Sequence, residues 1–252
     1  MSTDKTPPMP EITDRATFQA RLDELRVREK AHTRAGDAIA AARRRLPMTQ
    51  VPPDTTVIGR DGPVPFDEVF EGRDELVTYS HMFYAGKPWE WQCEGCTRNS
   101  WPMRDAADSA YLNAHGITFA ILGDGTYEEL AAFREFMGHT VPWYSIAHLD
   151  DPTVGIAGRV SCYLRRDDAI YLAYWTTGRG DEVMNPVFGL LDMTAYGRRE
   201  AWEDSPDGWP QLPTHSLLRT DEHGAPMGPR HGGRPVPQWT RPGVTGVGGP
   251  TG

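Results

Sequence analysis

The alternation of apolar and polar positions divides the chain into a run of elements. Residues 15–46 contain no Pro, a single Gly (Gly36) and much Ala, Leu, Arg and Glu, which predicts a long helix. Leu22 and Leu25 share one of its faces, and Ile39, Ala42 and Leu46 continue a narrow apolar stripe along an otherwise polar surface. Pro47 ends this helix, and Pro52 and Pro53 reinforce the break. Val57-Ile58 followed by Gly59-Arg60-Asp61-Gly62 predicts a short hairpin, and residues 66–70 a helical turn. Residues 75–81, Glu-Leu-Val-Thr-Tyr-Ser-His, read as a strand. A helix is expected over 101–115, capped by Ser100, opened by Trp101 and Pro102 and closed by Gly116. Residues 117–122 are continuously apolar, the mark of a strand buried on both faces. A helix over 126–137 opens with Thr126 and Glu129 spaced as a capping box and stops at Gly138.

Downstream, residues 143–146 form a short strand. Segments 159–164 and 169–176 flank Arg165-Arg166-Asp167-Asp168 as the arms of a hairpin with a charged turn, and 184–193 is a last helix. Strand, helix, strand, helix, hairpin, helix is the element order of a thioredoxin-like α/β fold. The expected organisation is therefore a disordered stretch over 1–14, an added N-terminal helix within 15–50 and a thioredoxin-like domain over 51–203. An irregular Pro/Gly-rich tail or arm follows over 204–252.

Composition narrows the function classes. The 252 residues carry a formal charge of −9, which argues against a nucleic-acid partner. No apolar run reaches the ~18 residues that a membrane helix needs. The opening Met1-Ser2-Thr3-Asp4-Lys5-Thr6-Pro7-Pro8 has no secretory pattern, so a cytoplasmic location is expected. Three cysteines are too few for a disulfide scaffold; in a reducing compartment a close pair among them is redox-active or metal-binding.

That pair is Cys93-Glu94-Gly95-Cys96, in the loop after the 75–81 strand. Two intervening residues let both sulfurs approach disulfide geometry once the second cysteine enters a helical turn. A helix start favours the thiolate and can bring a thiol pKa from about 8.5 to about 7 or below. The same sulfurs have two other readings: inert core cysteines, or a copper(I) site completed by His81, with Met82 and Met103 close in sequence. Cys162, alternating with Val160 and Leu164 in the hairpin strand, reads as a small core residue or as a resolving thiol or third ligand.

Several short motifs, taken together and in order, carry a resemblance. They are Glu29-Lys30-Ala31-His32-Thr33-Arg34, Ala41-Ala42-Arg43-Arg44-Arg45-Leu46-Pro47, His81-Met82-Phe83 running to Cys93 and Cys96, and Pro142-Trp143-Tyr144-Ser145. Gly178-Arg179-Gly180-Asp181 and Leu191-Asp192-Met193-Thr194 with Gly197-Arg198-Arg199-Glu200 complete the set. Over roughly residues 15–203 the chain resembles the bacterial DUF899 family, a thioredoxin-like family without an assigned function. The resemblance implies a thioredoxin-like fold and a general link to thiol redox proteins. The sequence departs from the family's usual loop, which is closer to Cys-Pro-Ser-Cys. Here Glu94 sets a negative charge beside Cys93, which opposes thiolate formation. Pro102 also suggests a helix starting near Trp101, which would leave the cysteines in a loop. Where thioredoxin has a cis-proline before its hairpin, this chain has Gly158-Arg159, closer to the arginine of a peroxiredoxin.

The leading expectation is thus a thiol-based oxidoreductase needing no cofactor, acting on a small-molecule or protein disulfide or a peroxide. Cys93 is its nucleophile, Cys96 its resolving thiol, and Arg159 and His81 electrostatic helpers. Trp89, Trp91, Trp143 and Tyr144 are expected to wall a substrate pocket or to be core. Arg179 and Asp181 read as a loop ion pair, and His32, His115 and His139 as structural. The alternatives are a copper protein using Cys93, Cys96 and His81, and a binding module without chemistry. The N-terminal helix and C-terminal arm lack a core of their own and are the expected contacts of a homodimer.

Overall fold

The computed structural model describes residues 8–89, 92–200 and 202–211. Its strands are β1 (Thr49–Gln50), β2 (Thr56–Gly59), β3 (Gly62–Pro65), β4 (Glu75–His81), β5 (Ile117–Gly123), β6 (Trp143–Ser145), β7 (Arg159–Arg166) and β8 (Ala169–Thr177). They form one mixed sheet in the order β1-β8-β7-β4-β5-β6-β2-β3. At its centre β4 runs parallel to β5 and antiparallel to β7, and β7 pairs antiparallel with β8. A parallel strand pair joined by a helical crossover, extended on the other side of the first strand by a hairpin, is the expected thioredoxin-like α/β fold. β1, β2, β3 and β6 enlarge that unit. Because Thr49 and Gln50 pair with Leu172 and Tyr171, the sheet begins before residue 51, and β1 belongs with it rather than with the N-terminal helix.

The helices are α1 (Arg15–Arg43), α2 (Glu94–Ser100), α3 (Ala110–Ala114), α4 (Tyr127–Met137) and α5 (Val187–Asp192). Local chemistry explains their ends. Thr126 and Glu129 close the capping box of α4, and Gly138 ends it in the left-handed conformation, φ 69°. Asp167 and Asp168, at φ 51° and 60°, make the two-residue turn between β7 and β8 in the backbone form that matches strand twist. Two expected helices are corrected. The expected single helix over 101–115 is instead a tight turn at Trp101–Met103, directly after α2, and the short α3. Pro102 has no N–H for a continuing α-helix, so the chain tightens there. The helix over 184–193 is split likewise: a tight helix spans Gly178–Met184, Asn185 is extended, and α5 begins after Pro186.

Side-chain alternation gives the sheet two apolar faces. On one, Tyr79, Phe119, Ile121 and Val160 pack with Leu130, Phe133 and Met137 of α4 and with Cys96. On the other, Leu76, Ala120, Leu122 and Tyr163 pack with Phe66, Val69 and Phe70 of the turn at Phe66–Phe70 and with Ile146 and Val154. α1 buries no residue. Asp14 caps it by accepting from the Ala16 and Thr17 amides at 2.8 and 3.0 Å. Two contacts hold its surroundings: the Tyr196 hydroxyl donates to the Pro8 carbonyl at 3.2 Å, and the Arg43 guanidinium lies 5.0 Å from the centre of the Tyr174 ring. Among the described residues no helix is long and apolar enough to cross a membrane. Residues 1–7 and nearly all of the expected tail, 212–252, lie outside the described residues.

Candidate active site

β4 delivers the chain to the cysteine loop at its C-terminal end, where a central parallel strand leaves the sheet. Cys93 is the N-cap of α2. Its sulfur accepts the Cys96 amide at 3.4 Å, while its carbonyl accepts the Thr97 amide at 2.9 Å and the Thr97 hydroxyl at 2.8 Å. The four-residue motif therefore forms the first turn of a helix that starts at Glu94. This corrects the expected start near Trp101, since Pro102 ends α2 rather than preventing it. Glu94 is buried within that turn.

The two sulfurs differ in environment. Cys93 is half-buried, whereas Cys96 is 2% exposed. Cys96 Sγ accepts the Met82 amide at 3.4 Å and meets the Tyr79 hydroxyl. Its thiol is held well above the ordinary range, first by its hydrogen bond to the Cys93 sulfur and next by burial. Burial likewise pushes the Tyr79 hydroxyl far up, and Asn99 Nδ2 donates to it at 3.4 Å. At neutral pH Cys96 is thus a neutral thiol, with Cys93 Sγ as the accepting and more accessible sulfur.

A cleft of about 560 Å³ opens over the pair, with Met82, Gly158 and Phe188 among its apolar walls and Arg98 and Asp181 at its polar side. Burial pushes the Asp181 carboxyl up, against the lowering effect of the Arg98 charge. The Phe188 ring has the Arg98 guanidinium 4.9 Å from its centre and that of Arg198 at 4.6 Å. Arg198 in turn donates to Asp192 at 2.6 and 2.7 Å and to Glu182 at 2.9 Å. The expected Arg179–Asp181 pair is not formed; Arg179 Nε pairs with Glu182 at 3.2 Å, and Asp181 faces the cleft.

Not every candidate residue converges on this cleft. Arg159 pairs with Ser80, and Val160 with Tyr79, so Tyr79 and Val160 face the cysteines while Arg159 points through the opposite face. There Arg159 Nη2 donates to the carbonyls of Pro152 and Thr153, both at 2.8 Å. His81 is fully buried between Phe83, Phe133 and Trp143, with Nδ1 2.8 Å from the Met82 carbonyl. Burial brings its pKa down to about 4. Among the described residues no three His, Cys, Asp or Glu side chains are gathered to hold a metal ion. Cys162 sits mid-strand opposite Val77 and Tyr174, its thiol pushed up to about 11 chiefly by burial.

Of the expected aromatic pocket walls, Trp89 and Trp143 are core. Trp89 stacks on Phe136 and touches Phe133, while Trp143 packs against His81 and His139. Tyr144 faces a separate depression with Gly59 and Arg134. Trp91 lies outside the described residues. Sequence reasoning passed over Tyr79, Arg98, Asn99 and Phe188. Two of these had a signal: Asn99 stands three residues after Cys96 on the same helix face, and Tyr79 is two residues from His81 on one strand face.

A parallel strand pair joined by a helical crossover and extended by the β7–β8 hairpin gives the chain a thioredoxin-like fold, with Cys93 and Cys96 at the first turn of the first crossover helix. Comparison with family models matches residues 7–215 to "Bacterial protein of unknown function (DUF899)", and the chain belongs to that family. No curated protein matches it. Among solved structures it is similar to one described as a proposed thiol:disulfide interchange protein DsbE from Chlorobium tepidum. Their identity is 16% and the TM-score 0.37, over 55% of this chain and 93% of that one.

Proposed function

We propose that the chain is a thiol–disulfide oxidoreductase whose substrate is a small, uncharged disulfide. The observation that carries the reading is the asymmetry of the two sulfurs: Cys93 accessible and hydrogen-bonded as an acceptor, Cys96 buried behind it as a neutral thiol. The Cys93 thiolate attacks one sulfur of the substrate, forming a mixed disulfide and releasing the other half as a thiol. Cys96, losing its proton, then attacks Cys93 Sγ, which closes the Cys93–Cys96 disulfide and releases the second thiol. Two electrons pass from the dithiol to the substrate, and an external dithiol restores the protein. Arg179 and Arg198 are both paired with Glu182, and Arg98 faces Asp181, so the cleft offers no unopposed charge to an ionic substrate. A peroxide is the weaker choice, because the guanidinium expected to polarise it, Arg159, serves the other face of the sheet.

Incubation of the reduced protein with hydroxyethyl disulfide, followed by alkylation and mass spectrometry, tests this. The wild type is expected to end as a Cys93–Cys96 disulfide, and Cys96→Ser to stop at a mixed disulfide on Cys93. Cysteines that stay alkylatable throughout, or that become alkylatable only after a copper chelator, would overturn the reading.

A further inference from the structure

α1 is 29 residues long and buries none of them. An isolated helix in water is marginal even at about 15 residues, and most helix stability in proteins comes from packing an apolar face. Among the described residues nothing covers that face of α1: Phe18, Leu22 and Leu25 recur at helical spacing, with Phe18 57% and Leu25 45% exposed. A second exposed apolar surface lies at residues 183–193. Val183, Val187, Leu190 and Met193, on and beside α5, are 78%, 42%, 62% and 83% exposed. Phe188, between them, faces inward to the cleft.

The charges around these two surfaces are complementary. Residues 15–45 hold nine Arg or Lys against four Asp or Glu, although acids outnumber bases in the chain as a whole. Residues 178–211 hold seven Asp or Glu against three Arg. Two α1 helices meeting each other would bring like charge together; α1 meeting the α5 surface brings opposite charge together. We infer that the partner of α1 is a second copy of this chain, with α1 of each copy laid on the α5 surface of the other. Such an exchange is isologous and closes as a two-fold dimer. It covers both apolar surfaces at once, and it sets the partner's helix against the element that carries Phe188 and Asp181 into the cysteine cleft.

The experiment is light scattering on the full chain eluting from a sizing column, with two single variants, Leu25→Lys and Leu190→Glu, and their equimolar mixture. Both positions are exposed, and far-UV circular dichroism checks that each variant keeps its fold. The wild type is expected to be a dimer and each variant a monomer. Mixing restores a dimer, because the introduced lysine on one copy's α1 then meets the introduced glutamate on the other copy's α5, while the second contact stays native. A monomeric wild type, a dimer that survives both substitutions, or a mixture that stays monomeric would each overturn the α1–α5 exchange. Thiol reactivity of the monomeric variants is read separately, so the result does not depend on the oxidoreductase reading.

Discussion

His81 gives the fold a measurable acid sensitivity. Its ring is fully buried among Phe83, Phe133 and Trp143, and its pKa is brought down to about 4 by loss of solvation, partly offset by the hydrogen bond to Met82. The folded state thus refuses a proton that the unfolded chain accepts near the ordinary value of 6.5. The resulting contribution to stability is full above that value and is lost as pH falls toward 4. Each pH unit between the two values is worth about 1.36 kcal/mol, so the loss is about 2 kcal/mol by pH 5 and about 3 kcal/mol by pH 4. Urea unfolding of the wild type and of His81→Phe at pH 7, 6, 5 and 4 isolates this, because carboxylates titrate alike in both. The stability difference between the two proteins should move by those amounts in favour of the variant as pH falls. A difference that stays constant across the series would refute the argument and return His81 to an environment open to water. The same variant should react with disulfides at the wild-type rate at pH 7, since the ring touches neither sulfur's hydrogen-bond partners other than through the Met82 backbone.

Other expectations follow from single residues. At pH 8, iodoacetamide should modify Cys162 about 100-fold or more slowly than a free cysteine, because burial pushes its thiol up to about 11; equal rates by peptide mass spectrometry would count against its burial. Arg159→Ala should lower stability in urea by about 2–4 kcal/mol through the loss of a buried side chain and its charged hydrogen bonds to the Pro152 and Thr153 carbonyls, with the Cys93 rate of the folded protein unchanged. A slowed thiol reaction would restore Arg159 to the site. Thr126→Ala removes one half of the α4 capping box and should cost about 1 kcal/mol in the same assay.

Much of the architecture was legible because local chemistry and tertiary structure agree. The apolar run in β5, the capping box of α4 and the hairpin turn at Asp167-Asp168 each specify one conformation, and the fold uses it. The helix boundaries around Pro102 and Pro186 were not legible, because a proline can end one helix or open the next, and only the packing of the flanking residues decides which. The tryptophans misled for a different reason. An aromatic cluster near a loop in sequence has the same composition whether it lines a cleft or fills the core; here Phe133 of α4 packs against both Trp89 and Trp143 in the interior.

The site itself turns on strand parity. Arg159 stands next to Val160, and in an extended strand neighbouring residues point through opposite faces, so a shift of one residue in the β4–β7 register would exchange them. The register is fixed by apolar side chains remote from the cysteines: Leu76 and Tyr163 must reach the Phe66 cluster, and Tyr79 and Val160 the α4 cluster. Once they do, Arg159 is committed to the Pro152–Thr153 loop, and Tyr79 to Cys96. The far wall of the cleft depends in the same way on distant residues. The Phe188 ring has Arg98 of α2 against it and also Arg198, whose bonds to Asp192 and Glu182 tie residue 198 to the 182–192 segment. An Arg198→Ala substitution should therefore loosen the cleft wall without touching either sulfur. Its expected signature is a raised KM for a small disulfide with little change in the rate of alkylation at Cys93. A change in alkylation rate alone would mean that the 178–192 segment acts on the sulfur rather than on the substrate.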